Sequence, residues 1–226
     1  MVAFREVDNS RKTIAIGRVI AKHLPKNMSR SFKTFEDPRG LDITFLVEKA
    51  IANCAGMINV NGHGYDFIRV INGVETRPES KTSSVRERVN KKRIKVGYCG
   101  QICNITRANT DHEKEGDILA LIYIPYNDSV KFFYIPKTWW SKNVNSKGQI
   151  WYSYFSETNS IPKFKDFECK TFEDLCSPER IGEWEVRNKK LNVLWGAMLD
   201  AAIAKDMQKS IRARDEYTKF LLAKAA

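Results

Sequence analysis

The chain has 226 residues, of which 42% are hydrophobic, so it can bury one substantial core without a second domain. Lysine and arginine outnumber aspartate and glutamate by 38 to 27, and the net charge of +11 favours a polyanionic partner such as nucleic acid. The sequence contains neither an apolar run long enough to span a bilayer nor an apolar signal-peptide core, so we expect a cytoplasmic protein without membrane attachment.

Two helices are predicted before the first strands. The segment Asp8-Asn9-Ser10 can cap the first, which runs to about His23 because Pro25 cannot continue it. The second follows Gly40, ends at Gly56 and carries Glu48. Its candidates for burial recur at helical spacing: Leu41, Phe45, Val47, Ala50, Ile51 and Cys54.

A β-hairpin is predicted around Asn72-Gly73. An Asn-Gly pair between apolar runs is a strong hairpin signal, because a two-residue type I′ turn needs positive φ at both central positions. If Ile71 faces Val74, counting outward places Asp66 opposite Glu79. Lys81 then points to the same face as Glu79, because side chains alternate along a strand.

Two carboxylates side by side repel each other unless a positive charge lies between them. Mg²⁺ is a natural candidate, since it takes one or two carboxylates together with phosphate oxygens and water. With Lys81 beside Asp66 and Glu79, the arrangement is typical of a phosphodiester-hydrolysis site. In the alternative interpretation Asp66 only opens a strand, and the other two residues form an exposed ladder of charges.

The pattern of Asp66, a gap and then Glu79-Ser80-Lys81 resembles the PD-(D/E)xK nucleases, which include most type II restriction endonucleases. Tyr65 stands where the family name has proline, and the likeness covers about residues 45–85. The resemblance implies a restriction-endonuclease-like mixed β-sheet flanked by helices, and Mg²⁺ as the cofactor. It implies that Asp66, Glu79 and the peptide carbonyl of Ser80 bind the ion and that Lys81 handles the attacking water. Many members add an acid from the preceding helix, for which Glu48 is the best-placed candidate.

A strongly basic stretch follows the triplet. We expect it to contact the phosphates that flank the scissile bond, releasing counterions as DNA binds. The alternative is a solvated helix face or loop. Its basic residues are Arg86, Arg88, Lys91, Lys92, Arg93 and Lys95.

A second strand pair is predicted over residues 118–124 and 130–136. The first of these segments is apolar without alternation, which is typical of a central strand covered on both faces. The turn Asn127-Asp128-Ser129 joins the two strands. With the first hairpin, we expect one mixed sheet of at least four strands.

Aromatic residues are concentrated between residues 139 and 155. Two uses are open for them: packing into the core as a third hairpin, or contact with bases together with neighbouring asparagine and glutamine side chains. The rings are Trp139, Trp140, Trp151, Tyr152, Tyr154 and Phe155.

The last fifty residues, from about 177 to 226, have helical composition, with Ser177-Pro178-Glu179 as the start. Their apolar stripe suits either the core or a dimer surface. A twofold dimer with one active site per subunit would match a palindromic target.

The prediction from the sequence is a single α/β endonuclease domain with a catalytic core over about residues 40–136. We expect a Mg²⁺-dependent, sequence-specific endonuclease for double-stranded DNA, a homodimeric type II restriction enzyme without an organic cofactor. The alternatives are a Holliday-junction or repair nuclease of the same fold and a DNA-binding protein without catalytic activity.

Overall fold

The computed structural model describes residues 3–4, 9–25, 28, 42–60, 65–71, 74–90, 92, 95–105, 116–177, 208–209, 211–212 and 214–216. The chain divides into two compact units, Met1–Ser177 and Pro178–Ala226. The described residues of the second unit are helical and exposed, and most of the predicted C-terminal helical region lies outside the described residues. The first unit combines helices with several β-sheets, which confirms the predicted α/β class. That both units form one endonuclease domain stays a prediction.

The two helices of the N-terminal part end where the sequence predicts. Helix α1 (Asn9–Ile20) continues into a 3₁₀ turn (Ala21–His23) that precedes Pro25. Helix α2 (Ile43–Ala55) begins at Asp42, whose carboxylate accepts hydrogen bonds from the first free N–H groups of the helix at 3.0 and 3.2 Å.

Helix α2 ends at Gly56, whose φ of 63° is the left-handed conformation that glycine adopts at helix ends. The prediction that Phe45 is buried was wrong, because its ring is 40% exposed. Phe45 lies beside the stripe that faces the core rather than on it. That stripe consists of Leu46, Val47, Ala50 and Ile51.

The predicted hairpin forms strands β3 (Phe67–Ile71) and β4 (Val74–Thr76). The pairing of Ile71 with Val74, and the next two pairs outward, confirm the register given by the Asn-Gly turn. A short strand, β2 (Ile58–Asn59), pairs with the other edge of β3 and completes a three-stranded sheet.

The predicted extension of this hairpin to a pairing of Asp66 with Glu79 was wrong. Pro78 has no N–H group, so it can contribute only its carbonyl oxygen to the pairing. Its carbonyl oxygen accepts hydrogen bonds from the N–H groups of both Asp66 and Phe67, each at 3.1 Å. The backbone bends at Asp66, and the strand that follows Pro78 is β5 (Glu79–Ser84).

The central sheet has the order β11-β9-β8-β5. Strand β5 runs parallel to β8 (Ile118–Ile124), and β8 is antiparallel to β9 (Ser129–Ile135). Every residue of β8 is buried, which confirms the predicted central strand. Strand β11 (Glu168–Cys169) pairs with β9. The prediction that both hairpins join one sheet was wrong, since β3 and β4 belong to a different sheet.

Three of the described cations in the basic stretch, Arg86, Arg88 and Lys95, lie in strands, and Lys92 lies in a turn. The stretch includes β6 (Arg86–Val89) and the beginning of β7 (Lys95–Ile102). Together with β1 (Ala3–Phe4) and β10 (Ile150–Tyr154), these strands make a sheet of order β1-β6-β7-β10.

Three of the six rings of the predicted aromatic cluster are packed into the interior. Trp140 lies in helix α3 (Lys137–Asn143), and the rings of Trp140, Tyr152 and Tyr154 are at most 3% exposed. A 3₁₀ helix (Pro162–Phe167) and helix α4 (Phe172–Cys176) complete the described part of the first unit. Among the described residues, no helix combines the length and apolarity needed to traverse a bilayer.

Gly100 of β7 is expected to be intolerant of a side chain. A Cβ atom there would lie 2.3 Å from the hydroxyl oxygen of Tyr152 and 2.7 Å from the backbone oxygen of Ser84. We predict that Gly100→Ala lowers the free energy of unfolding by about 1–3 kcal/mol, the usual cost of overpacking. Urea denaturation measures it, and the exposed Ser153→Ala on the neighbouring strand is the control. Equal stability of Gly100→Ala and the unsubstituted protein would contradict this packing.

Candidate active site

A polar cavity of about 500 Å³ lies along β5, the edge strand of the central sheet. Side chains from α1, α2, the start of β3, β5 and the end of β7 line it. The lining includes three cations, Lys12, Lys81 and Arg86, and two acids, Glu48 and Asp66. Cys103 is the least polar of the described lining residues, so the cavity suits an ionic ligand rather than an apolar one.

Asp66 is fixed on the edge of β5 by Ser80. Its Oδ2 atom accepts hydrogen bonds from the backbone N–H of Ser80 at 2.7 Å and from the Ser80 hydroxyl at 3.0 Å. The N–H of Glu79 points the other way, toward the backbone oxygen of Asp117 at 2.8 Å. Because successive residues of a strand alternate edges, the N–H and C=O groups of Ser80 both face Asp66. A main-chain oxygen therefore lies on the same edge as the Asp66 carboxylate.

Glu48 projects from α2 toward Asp66. Burial raises the pKa of the Glu48 carboxyl, and the negative charge of Asp66 raises it further. Asn59 partly compensates, because its amide donates to Glu48 Oε2 at 3.5 Å and to the backbone oxygen of Asp66 at 3.2 Å. The two carboxylates are thus close enough to repel each other, and a cation between them would remove that repulsion.

Glu79 and Lys81 form a second pair. The ammonium group of Lys81 contacts Glu79 Oε1, and the two side chains are only 17% and 12% exposed. Lys81 lines the cavity, whereas Glu79 does not occur among its described lining residues. The structure therefore brings Asp66 together with Glu48 and Ser80, and places Glu79 against Lys81.

Lys12 is a cavity residue that sequence reasoning missed. Its Nζ atom donates to the Thr82 hydroxyl at 3.3 Å, and burial lowers its pKa, with a further lowering by the charge of Arg86. Lys12 lies in the first turns of an ordinary amphipathic helix, and nothing in its spacing links it to the triplet. Its role follows only from the way α1 approaches β5.

The described members of the predicted DNA-contacting set lie on β6, in the turn at Lys92 and at the start of β7. Arg86 lines the cavity, and Arg88, Lys92 and Lys95 are exposed. The Lys95 ammonium lies 3.8 Å from the ring centroid of Tyr98 and contacts its hydroxyl group. The predicted contacts Lys91 and Arg93 lie outside the described residues.

The oxygen donors along β5 fit Mg²⁺. Among the described residues, no three His, Cys, Asp or Glu side chains converge as a ready-made metal cluster. Mg²⁺ needs less from the protein, since one or two carboxylates suffice when substrate and water supply the other ligands. Glu48, Asp66 and the main-chain oxygen of Ser80 provide that set. The pKa of Glu48 is raised first by burial and then by the charge of Asp66, and a cation would relieve the second effect.

The pKa of Glu48 predicts a pH dependence of stability. A carboxyl group whose pKa is higher in the folded than in the unfolded chain binds more protons when folded, so stability falls as pH rises between the two values. Without metal, we expect the free energy of unfolding of Glu48→Gln to match that of the unsubstituted protein at about pH 4 and to exceed it at about pH 8. Urea denaturation at both pH values measures the difference. Glu157→Gln, on an exposed turn, is the control. A stability difference between the two proteins that does not change with pH would contradict the raised pKa of Glu48.

Sequence comparisons do not assign the chain to a family. No protein-family model matches it, and no curated protein matches its sequence. The resemblance to the PD-(D/E)xK nucleases therefore rests on Asp66, on the triplet Glu79-Ser80-Lys81 and on Glu48, together with the geometry of the cavity that four of these five residues line.

Proposed function

We propose that this protein is a Mg²⁺-dependent DNA endonuclease of the restriction-endonuclease-like fold, with the cavity along β5 as its active site. One observation carries the proposal: the acids Glu48 and Asp66 and the cations Lys12, Lys81 and Arg86 line the same cavity at a sheet edge. Acids alone would suit a metal store, and cations alone would suit an anion site. The combination suits a metal ion and a phosphate side by side.

In this proposal Asp66, Glu48 and the carbonyl of Ser80 hold the ion. The motif resemblance also makes Glu79 a ligand. Its carboxylate contacts Lys81, so we assign Glu79 the further role of positioning the Lys81 ammonium group. Bound Mg²⁺ would supply a Lewis acid that lowers the pKa of water and offsets charge on a phosphate.

The basic side chains of the cavity act on the water and on the phosphate. Lys81 lines the cavity, and its ammonium group, held by Glu79, can donate to the attacking water and hold it for in-line attack. Lys12 and Arg86 can donate charge-assisted hydrogen bonds to the non-bridging phosphate oxygens. These contacts strengthen as negative charge develops on those oxygens, which is the differential binding that lowers a barrier.

The surroundings of the cavity favour DNA as the source of the phosphate. The net charge is +11, and the exposed residues Arg88, Lys92 and Lys95 follow Arg86 along the chain. Such cations contact the backbone without reading sequence. We extend the proposal to a type II restriction enzyme acting as a homodimer in the cytoplasm, since twofold symmetry lets each subunit cut one strand. A Holliday-junction or repair nuclease of the same fold would differ in the shape of its substrate.

Cleavage assays test the proposed residues. With Mg²⁺, we expect discrete fragments from long duplex DNA, and no cleavage with EDTA. Asp66→Asn, Glu48→Gln and Lys81→Ala should each slow cleavage by at least about 100-fold, the usual effect of removing a catalytic group. DNA binding measured in EDTA should stay within about threefold of the unsubstituted protein, because the phosphate contacts are spread over many cations.

Glu157→Gln is the control and should cleave at the rate of the unsubstituted protein. Cleavage confined to branched DNA would favour the junction nuclease over the restriction enzyme. Binding without cleavage of any duplex or branched DNA would contradict the enzyme proposal and favour a non-catalytic DNA-binding protein. A normal rate for Asp66→Asn would remove that residue from the mechanism.

A further inference from the structure

The sheet of order β1-β6-β7-β10 has two unlike faces. Side chains alternate along each strand, and one face is buried against the core. The opposite face, here called the outer face, carries exposed residues on β6 and β10, namely Arg86, Arg88, Trp151 and Ser153, followed directly after β10 by Phe155. Trp151 is 40% and Phe155 50% exposed, so two large rings of this face contact solvent.

These two rings line a groove of about 580 Å³ together with two cations. Arg88 lies on the neighbouring strand, and Lys163 lies in the 3₁₀ helix, with its Nζ atom 2.9 Å from the backbone oxygen of Trp151. The groove thus combines flat apolar rings with positive charge at its sides. A groove for a hydrophobic peptide would not need both cations.

The groove adjoins the candidate active site. Trp151 of β10 lies directly opposite Gln101 of β7, and directly opposite residues share a face of the sheet with Cβ atoms about 4.5–5.5 Å apart. Trp151 lines the groove and Gln101 lines the polar cavity. Arg86 and Arg88 repeat this relation on β6, since the first lines the cavity and the second lines the groove. The two depressions are neighbours on one continuous face.

We propose that the groove binds an unpaired nucleobase of the strand whose phosphate occupies the cavity, with the base stacked on Trp151 or Phe155. The identity of the cavity's phosphate rests on the proposed function. Aromatic side chains bind single strands by stacking on the flat faces of bases, and nearby cations hold the backbone. In a paired duplex those flat faces are covered by neighbouring bases, and only base edges are accessible. Exposed rings therefore indicate that the DNA duplex proposed as the substrate is locally unpaired beside the cut.

Binding measurements can separate stacking from attraction to phosphate. A fluorescein-labelled thymidine oligonucleotide of about twelve residues, within the usual length of such sites, is compared with an abasic strand of the same length. Anisotropy titrations of the full chain in EDTA keep both strands intact. We expect the unsubstituted protein to bind the thymidine strand at least about fivefold more tightly than the abasic strand, the lower end of the stacking range.

Variants then test whether the preference for the base-bearing strand depends on Trp151 and Phe155. Trp151→Ala combined with Phe155→Ala should remove it while leaving affinity for the abasic strand unchanged, and Trp151→Phe should retain part of it. Tyr126→Ala, which removes a ring that is 62% exposed on the turn between β8 and β9, is the matched control and should change neither affinity.

Equal affinity of the unsubstituted protein for the two strands, or a preference that survives in the double variant, would overturn the stacking site. If the proposed function is wrong, the cleavage assay shows it and the binding assay does not. In that case Asp66→Asn would cleave normally, or no DNA would be cleaved, while the preference for the base-bearing strand persisted. If the unsubstituted protein showed no preference for the base-bearing strand but still cleaved DNA with Mg²⁺, the groove alone would be refuted.

Discussion

The hydrogen bonds of Asp66 to Pro78 and Ser80 determine the arrangement of the candidate site. Extended in register, the hairpin of β3 and β4 would pair Asp66 with Glu79. The paired residues end at Arg69 and Thr76 instead, and the carbonyl of Pro78 accepts the N–H groups of both Asp66 and Phe67. Strand β5 is then available to run parallel to β8, with its other edge facing Asp66.

These hydrogen bonds separate the charges into two groups. Asp66 meets the N–H of Ser80 and lies near Glu48, whereas Glu79 remains with Lys81. The first group has an excess of negative charge and benefits from a cation. The amine of the second lines the cavity and can serve a phosphate or a water molecule. In a polar but partly enclosed site these charges interact more strongly than on an open surface, because water screens them less.

Turns, helix ends and strands that depend on neighbouring residues were predictable from the sequence. Contacts between residues far apart in the sequence were not. The hairpin register followed from Asn72-Gly73, the end of α2 from Gly56, and the central strand from the unbroken apolar segment Ile118–Ile124. Each of these depends on a few neighbouring residues. The parallel pairing of β5 with β8 depends on residues far apart in sequence, and so does the approach of Lys12 to Thr82. The faces of β10 were also ambiguous, because aromatic residues occupy both, and only the packing shows that Tyr152 points inward and Trp151 outward.

Direct titration with Mn²⁺, followed by electron paramagnetic resonance, tests the central claim that Asp66 and Glu48 share a divalent ion. Mn²⁺ prefers the same oxygen ligands as Mg²⁺ and reports free ion without any need for cleavage. We expect Asp66→Asn and Glu48→Gln each to weaken binding by at least about tenfold, with Glu157→Gln unchanged, since losing even an indirect partner of a metal costs that much. Binding as tight in Asp66→Asn as in the unsubstituted protein would contradict the shared ion.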